Sequence, residues 1–241
     1  MGYIILTILF LTLLYTVVPY FLSRGLGLRV MKRGNESSKI AFTFDDGPDP
    51  IYTPLLLDLL KKNEVKATFF VVGSKAKKHP EVIKRMHQEG HLIGIHNYVH
   101  HSNWFMSPRR VRKGLEDTAT IIETITGVRP VFYRPPWGML NLLDFVKKSK
   151  YKVILWSIMA EDWRTSGGSE KIKHRLSNIK GGDIILLHDC GETPGAELGA
   201  PRNTINALKE ILKTVKSKGL TCVRVDELIS KQLSIPKREI I

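Results

Sequence analysis

From Lys39 onward the sequence predicts an α/β fold: a closed or nearly closed barrel of about seven parallel strands, covered by helices and preceded by one N-terminal transmembrane helix. Three observations carry this expectation. Short apolar runs alternate regularly with amphipathic helical patterns, as they do in a parallel sheet covered by helices. The chemically capable residues fall at the C-terminal ends of the apolar runs, the rim where barrels gather their reactive groups. Ahead of both lies an uncharged apolar stretch long enough to cross a bilayer.

Residues 3–22 form that stretch, about twenty mostly apolar positions broken only by Pro19. Met1-Gly2 lacks the basic start of a cleaved signal peptide, and Leu22-Ser23-Arg24 lacks its small-residue exit. Residues 1–22 therefore read as an uncleaved membrane anchor, 23–38 (rich in Gly, Ser and basic residues) as a linker, and 39–241 as one large domain. Arg24, Arg29, Lys32 and Arg33 follow the span, and the positive-inside rule taken alone would leave the domain in the cytoplasm.

Strands are expected at 39–44, 67–72, 91–95, 130–133, 152–158, 183–187 and 220–224. Helices are expected at 52–62, 80–89, 108–126, 140–149, 169–178 and 203–218. Pro54 falls in the first turn of one helix and Pro80 opens another, both places that tolerate a missing N–H. With 43% hydrophobic and 25% charged residues, the 241-residue chain has an ordinary globular composition. Its net charge of +14 is dispersed in short pairs such as Lys61-Lys62 and Arg109-Arg110. Such a surface is solvated and suits anionic phospholipid or acidic wall polymer. No aromatic–basic interleaving points to nucleic acid, so none is expected as a partner. Cys190 and Cys222, the two cysteines, exclude a disulfide-rich scaffold and read as free thiols.

The run Thr43-Phe44-Asp45-Asp46-Gly47-Pro48 closes the first strand of the domain. Adjacent carboxylates at a strand end repel each other and are costly to bury unpaired, which calls for a compensating cation. His96 and His100 supply two imidazoles after another apolar run; His101 is an alternative to His100, though the three-residue gap favours His100. One carboxylate and two histidines form a metal site with open positions for water or substrate, and the other carboxylate is then free to act as a base. Zinc suits that ligand set best, while cobalt and nickel also fit. Further on, Arg134-Pro135-Pro136-Trp137-Gly138 brings a cation able to pair with a carboxylate, and a stiff turn whose Trp137 N–H can donate to an oxyanion. Asp162-Trp163 and Leu186-Leu187-His188-Asp189 add a carboxylate, an aromatic wall and a histidine suited to acid catalysis. Each of these clusters alone has a plain structural reading: a rigid turn, a capping Asp with a core Trp, a His-Asp pair.

Taken in order, the five motifs resemble those of the polysaccharide deacetylases, carbohydrate esterase family four, over residues 39–229. The resemblance implies a distorted (β/α) barrel and metal-dependent removal of N- or O-acetyl groups from sugars such as N-acetylglucosamine polymers. It implies Asp45 as catalytic base, Asp46, His96 and His100 as metal ligands, and Arg134 as the group orienting the base. It further implies His188 as general acid supported by Asp162, with Trp163 and Leu186 walling the acetyl pocket. Trp137 stands where the family usually carries Tyr or Phe, an exchange its backbone N–H should tolerate. Asn97 replaces the usual Ser or Thr after the first histidine, and Met159 stands where many members have an acidic residue. An N-acetylated glycan of peptidoglycan or chitin type implies a catalytic domain outside the cytoplasm at the cell membrane, against the charge rule. Two rival readings are a tethered carbohydrate-binding barrel without turnover, which would need neither Asp45 nor His188, and a deformylase or deacylase of a lipid-linked sugar.

Overall fold

Lys39–Asp45 shows how the sheet is made. Its seven residues alternate faces, so Ile40, Phe42 and Phe44 point one way while Ala41, Thr43 and Asp45 point the other. Both sets are buried, as in a parallel strand covered on both sides. The structure is a computed structural model that describes residues 1–146 and 149–232. In chain order the strands are β1 (Val30–Met31), β2 (Lys39–Asp45), β3 (Thr68–Val71), β4 (Leu92–Ile95), β5 (Phe132–Tyr133), β6 (Lys152–Ile154), β7 (Ile158–Met159), β8 (Ile184–His188) and β9 (Thr221–Cys222). They follow the order β1-β6-β5-β4-β3-β2-β8-β7, with β9 beside the start of β2, and every pairing between these strands is parallel.

The sheet curls into a barrel that stays open: among the described residues β1 and β7 do not pair. An antiparallel bridge and an ion pair between Arg33 and Asp183 (2.5 Å) tie the residue just before β8 to the segment after β1. Strand β1 arises within the expected linker, so part of 23–38 is built into the sheet. The expected strand 152–158 divides into β6 and β7, which join different neighbours.

The helices are α1 (Gly2–Tyr20), α2 (Tyr52–Lys62), α3 (Gly73–Lys78), α4 (Pro80–Gln88), α5 (Pro108–Thr126), α6 (Leu142–Val146), α7 (Gly168–Arg175), α8 (Ala200–Ser217) and α9 (Val225–Leu228). Helices α3 and α9 are too short to show in sequence periodicity. The expected helix 140–149 is α6, and residues 147–148 lie outside the described ones, as do 233–241 of the expected domain. Pro108 and Pro80 sit at the first turns of α5 and α4, where no N–H is needed.

Two apolar clusters result. Phe42, Phe44, Leu56, Leu60, Ile83, Leu115 and Leu208 fill the space between sheet and helices. Ala41, Phe70, Phe132, Leu155, Ile184 and Leu186 pack inside the curl, with Val225, Leu228 and Ile229. Gly94 makes that inner packing possible, since a Cβ there would lie 2.6 Å from the Phe70 ring. Helix α1 continues through one wider turn, Phe21–Gly25, as a 24-residue apolar helix long enough to cross a membrane. Both cysteines are free, as expected.

Candidate active site

Parallel strands share one C-terminal rim, and the reactive residues meet there. Asp45 ends β2 and Asp46 follows it; His96 follows β4, Arg134 follows β5, Asp162 follows β7, and His188 ends β8. Four residues at this rim adopt positive φ despite carrying a Cβ: Asp46 (78°), Asn97 (61°), Trp137 (55°) and Glu161 (54°). Backbone strain of this kind persists where the surroundings over-determine it, and it gathers at working sites.

Asp46, His96 and His100 form one group. Asp46 Oδ1 lies 3.3 Å from His96 Nε2 and 3.2 Å from His100 Nε2, and among the described residues it is buried without a hydrogen-bond donor. His96 donates its Nδ1–H to the Arg134 carbonyl (2.7 Å), which leaves the Nε2 lone pair facing the carboxylate. Burial pushes the His100 pKa down to about 4, beyond what the Asp46 charge restores, so its ring is neutral at pH 7. Burial opposes the Asp46 charge too, yet the histidines hold its carboxyl well below the usual range. Ligands of a tetrahedral zinc ion stand roughly 3.4 Å apart at ordinary bond lengths. The group therefore fits a small divalent cation. His101 is exposed and stands outside it.

Asp45 is held differently. Its Oδ1 accepts from Arg134 Nη1 at 2.8 Å, and its Oδ2 is turned toward the histidines, 3.9 Å from His96 Nε2. Arg134 is fully buried. It donates to the carbonyls of Ile154 and Leu155 and to Thr43 Oγ1, and its guanidinium lies 4.2 Å over the Phe70 ring. Arg134 is therefore more than part of a rigid turn: it is an interior cation bound to a carboxylate. Arg134→Met would leave Asp45 a buried charge without its partner and should lower stability by about 3–5 kcal/mol. Urea unfolding checks this; an unchanged midpoint would mean the pair carries no structural weight.

On the other side of the rim, His188 Nδ1 lies 2.8 Å from Asp162 Oδ1, while Asp162 Oδ2 accepts from the His188 backbone N–H and from Thr204 Oγ1. Burial disfavours the His188 cation, but Asp162, with Asp46 and Asp45 behind it, lifts its pKa to about 9. The Trp163 ring stands edge-on to His188, with centroids 5.7 Å apart. Leu186 is buried in β8 in register with Met159, so the departure at Met159 places an apolar side chain beside it. Trp137 packs edge-on against His100 (4.4 Å) and stays partly exposed.

Tertiary packing adds residues that the motifs did not reveal. Thr193 Oγ1 donates to Asp46 Oδ2 at 2.5 Å, and Thr204 braces Asp162. Neither lies in a recognisable pattern. Asn97 donates to the His101 carbonyl and to Asn103 Oδ1 while accepting from the Tyr133 hydroxyl, so it ties the histidine loop as a Ser or Thr would have to. Its amide also suits the left-handed backbone there.

The polysaccharide deacetylase family model matches residues 32–153. A peptidoglycan-N-acetylglucosamine deacetylase of Bacillus cereus is 37% identical over 201 residues, covering 81% of this chain and 90% of that protein. The chain belongs to the polysaccharide deacetylase family. Its fold agrees: the crystal structure of the Bc1960 peptidoglycan N-acetylglucosamine deacetylase superposes with a TM-score of 0.77 at 32% identity, over 86% of this chain and 96% of that one. A family 4 acetyl xylan esterase from Clostridium thermocellum, solved with a cobalt ion, superposes at 0.72 with 35% identity, over 82% and 92% of the two chains. The open, curled sheet is thus the distorted barrel that the motifs implied, and this deacetylase is a hydrolase.

Proposed function

We propose that this deacetylase is a metal-dependent hydrolase that removes N-acetyl groups from a glycan of the peptidoglycan type, tethered to the membrane by its N-terminal helix. The observation that carries the reading is the division of labour at the rim. An Asp46–His96–His100 group, its first two members buried, stands with one carboxylate held by Arg134 and one histidine held by Asp162.

In this reading Asp46, His96 and His100 hold a divalent cation, zinc by the ligand set, which supplies Lewis acidity to an acetyl carbonyl and to water. Asp45, with Oδ1 tied to Arg134, uses Oδ2 to take the proton of the attacking water. The new C–O bond makes a tetrahedral centre whose oxyanion accepts from the Trp137 N–H. Trp163 and Leu186 enclose the methyl group. His188, its Nδ1–H held by Asp162, carries a proton on Nε2 and gives it to the sugar nitrogen as the C–N bond breaks. The products are acetate and a free amine.

Acetate release from N-acetylated peptidoglycan oligosaccharides by the purified chain tests the function. One acetate per new amine is expected; formate, or no product, would sink the reading. His188→Ala should slow amide cleavage by about 10²–10⁴-fold and hydrolysis of an activated aryl ester far less, since that leaving group needs little protonation. Because the protonated ring is the active form, the rate should fall on the alkaline side as the ring loses the proton that Asp162 helps it hold. The same alkaline fall in His188→Ala would assign it elsewhere.

The names of the relatives place their substrate in the cell wall, which supports a domain outside the cytoplasm despite the basic residues after the span. Protease added to intact protoplasts should then digest the domain, and its survival until the membrane is opened would reverse the placement.

A further inference from the structure

The anchor helix is docked onto the domain, and it is docked on the rim that carries the site. Tyr20 packs edge-on against Trp104 (6.0 Å), and the Tyr15 hydroxyl approaches the Met106 carbonyl at 3.5 Å; both partners lie in the connection from β4 to α5. Arg24 places its guanidinium 4.1 Å over the Trp156 ring, just beyond β6. Arg29 Nη1 donates to the carbonyls of Phe145 and Val146 in α6, the connection from β5 to β6. The contacts of Tyr15, Tyr20 and Arg24 are to segments at the C-terminal ends of the strands, whereas Arg29, just ahead of β1, holds the end of α6 that leads into β6. Trp104 and Met106 also line a groove of about 910 Å³ whose wall includes His100 and Trp137.

The overlap of docking and span then limits where the bilayer can lie. Residues 2–14 are exposed along the helix, and burial against the domain begins at Tyr15 and Thr16, inside the uncharged apolar stretch that runs on to Leu22. A helix that spans with that stretch therefore carries its docked turns, and the loop and α6 that touch them, to the membrane interface. The surface there suits that position. Phe105 is 88% exposed, and Leu143 and Val146 of α6 are exposed beside it, while Arg109 and Arg112 face solvent one turn apart at the start of α5. Apolar side chains flanked by arginines match the boundary between acyl chains and anionic headgroups.

We propose that the site-bearing rim of this deacetylase rests on the anionic lipid surface beside its own anchor, so that the groove takes glycan attached to, or lying along, the membrane. The inference rests on the membrane-anchor reading. The test uses the full chain in vesicles of phosphatidylcholine and phosphatidylglycerol, in a Cys222→Ser background with Cys190 buried. A polarity-sensitive dye is placed at Phe105→Cys or, at the opposite end of the strands, at Lys180→Cys. Nitroxide lipid should quench the first label and spare the second, with the reverse order for aqueous iodide. Arg109→Glu combined with Arg112→Glu should weaken lipid quenching at position 105, each arginine favouring headgroup contact by roughly fivefold, while acetate release from a soluble oligosaccharide holds. Chains that float with the vesicles but show both labels equally open to iodide would overturn the proposal and leave the anchor intact. Chains that fail to float would remove the anchor reading, and the proposal with it.

Discussion

Metal removal is expected to reduce acetate release to background, with zinc or cobalt restoring it. The reason lies in Asp46, His96 and His100: Asp46 Oδ1 is buried with no hydrogen-bond partner among the described residues, and the two imidazole Nε2 atoms face it at 3.3 and 3.2 Å. His96→Ala should bring bound metal far below one per chain, because the two remaining ligands hold a cation poorly. Turnover should fall by about 10³-fold or more, since Lewis-acid stabilisation is worth several kcal/mol. Elemental analysis beside the rate, with a melting curve to establish folding, checks both. Full activity in a chain shown to be metal-free would end the metal-site reading.

The paired carboxylates should separate cleanly. Asp45→Asn should keep bound metal near one per chain and lower kcat by about 10²–10⁴-fold, the usual weight of a general base. The amide keeps the shape of the carboxylate and an oxygen for Arg134, so the loss should appear in kcat before stability. Asp46→Asn should release the metal itself, because Oδ1 is the atom both imidazoles face. Equal metal loss in the two variants would show that the roles are wrongly divided.

The difference between the two carboxylates is visible in the sequence only as a pair. A strand alternates its faces, and Asp45 ends β2 on the inner face, where Arg134 arrives from β5. Asp46 leaves the strand with φ 78° and turns toward the histidines. Positive φ in a non-glycine residue is imposed by surroundings, which no local pattern records. Thr193 reaches Asp46 across 147 residues and Thr204 reaches Asp162 across 42, so their contributions were equally hidden. Strand β1 carries no sequence signal because its two residues sit among the glycine and basic residues of 23–38, with no apolar run around them.

What the sequence by itself determined is local and periodic. Apolar runs and amphipathic stretches specify β2, β3, β4, β8 and the long helices, because burial of one face or both follows from residue order alone. Motif order then marked Asp45, Asp46, His96, His100, Arg134, Asp162 and His188 before any fold was known. Tertiary structure alone decided that the sheet stays open between β1 and β7 among the described residues, that Arg134 is sealed inside it, and that the N-terminal apolar helix packs against the loop that follows β4. Each of these depends on packing between segments far apart in the chain, where the interaction energy belongs to the assembled pair and to neither sequence alone.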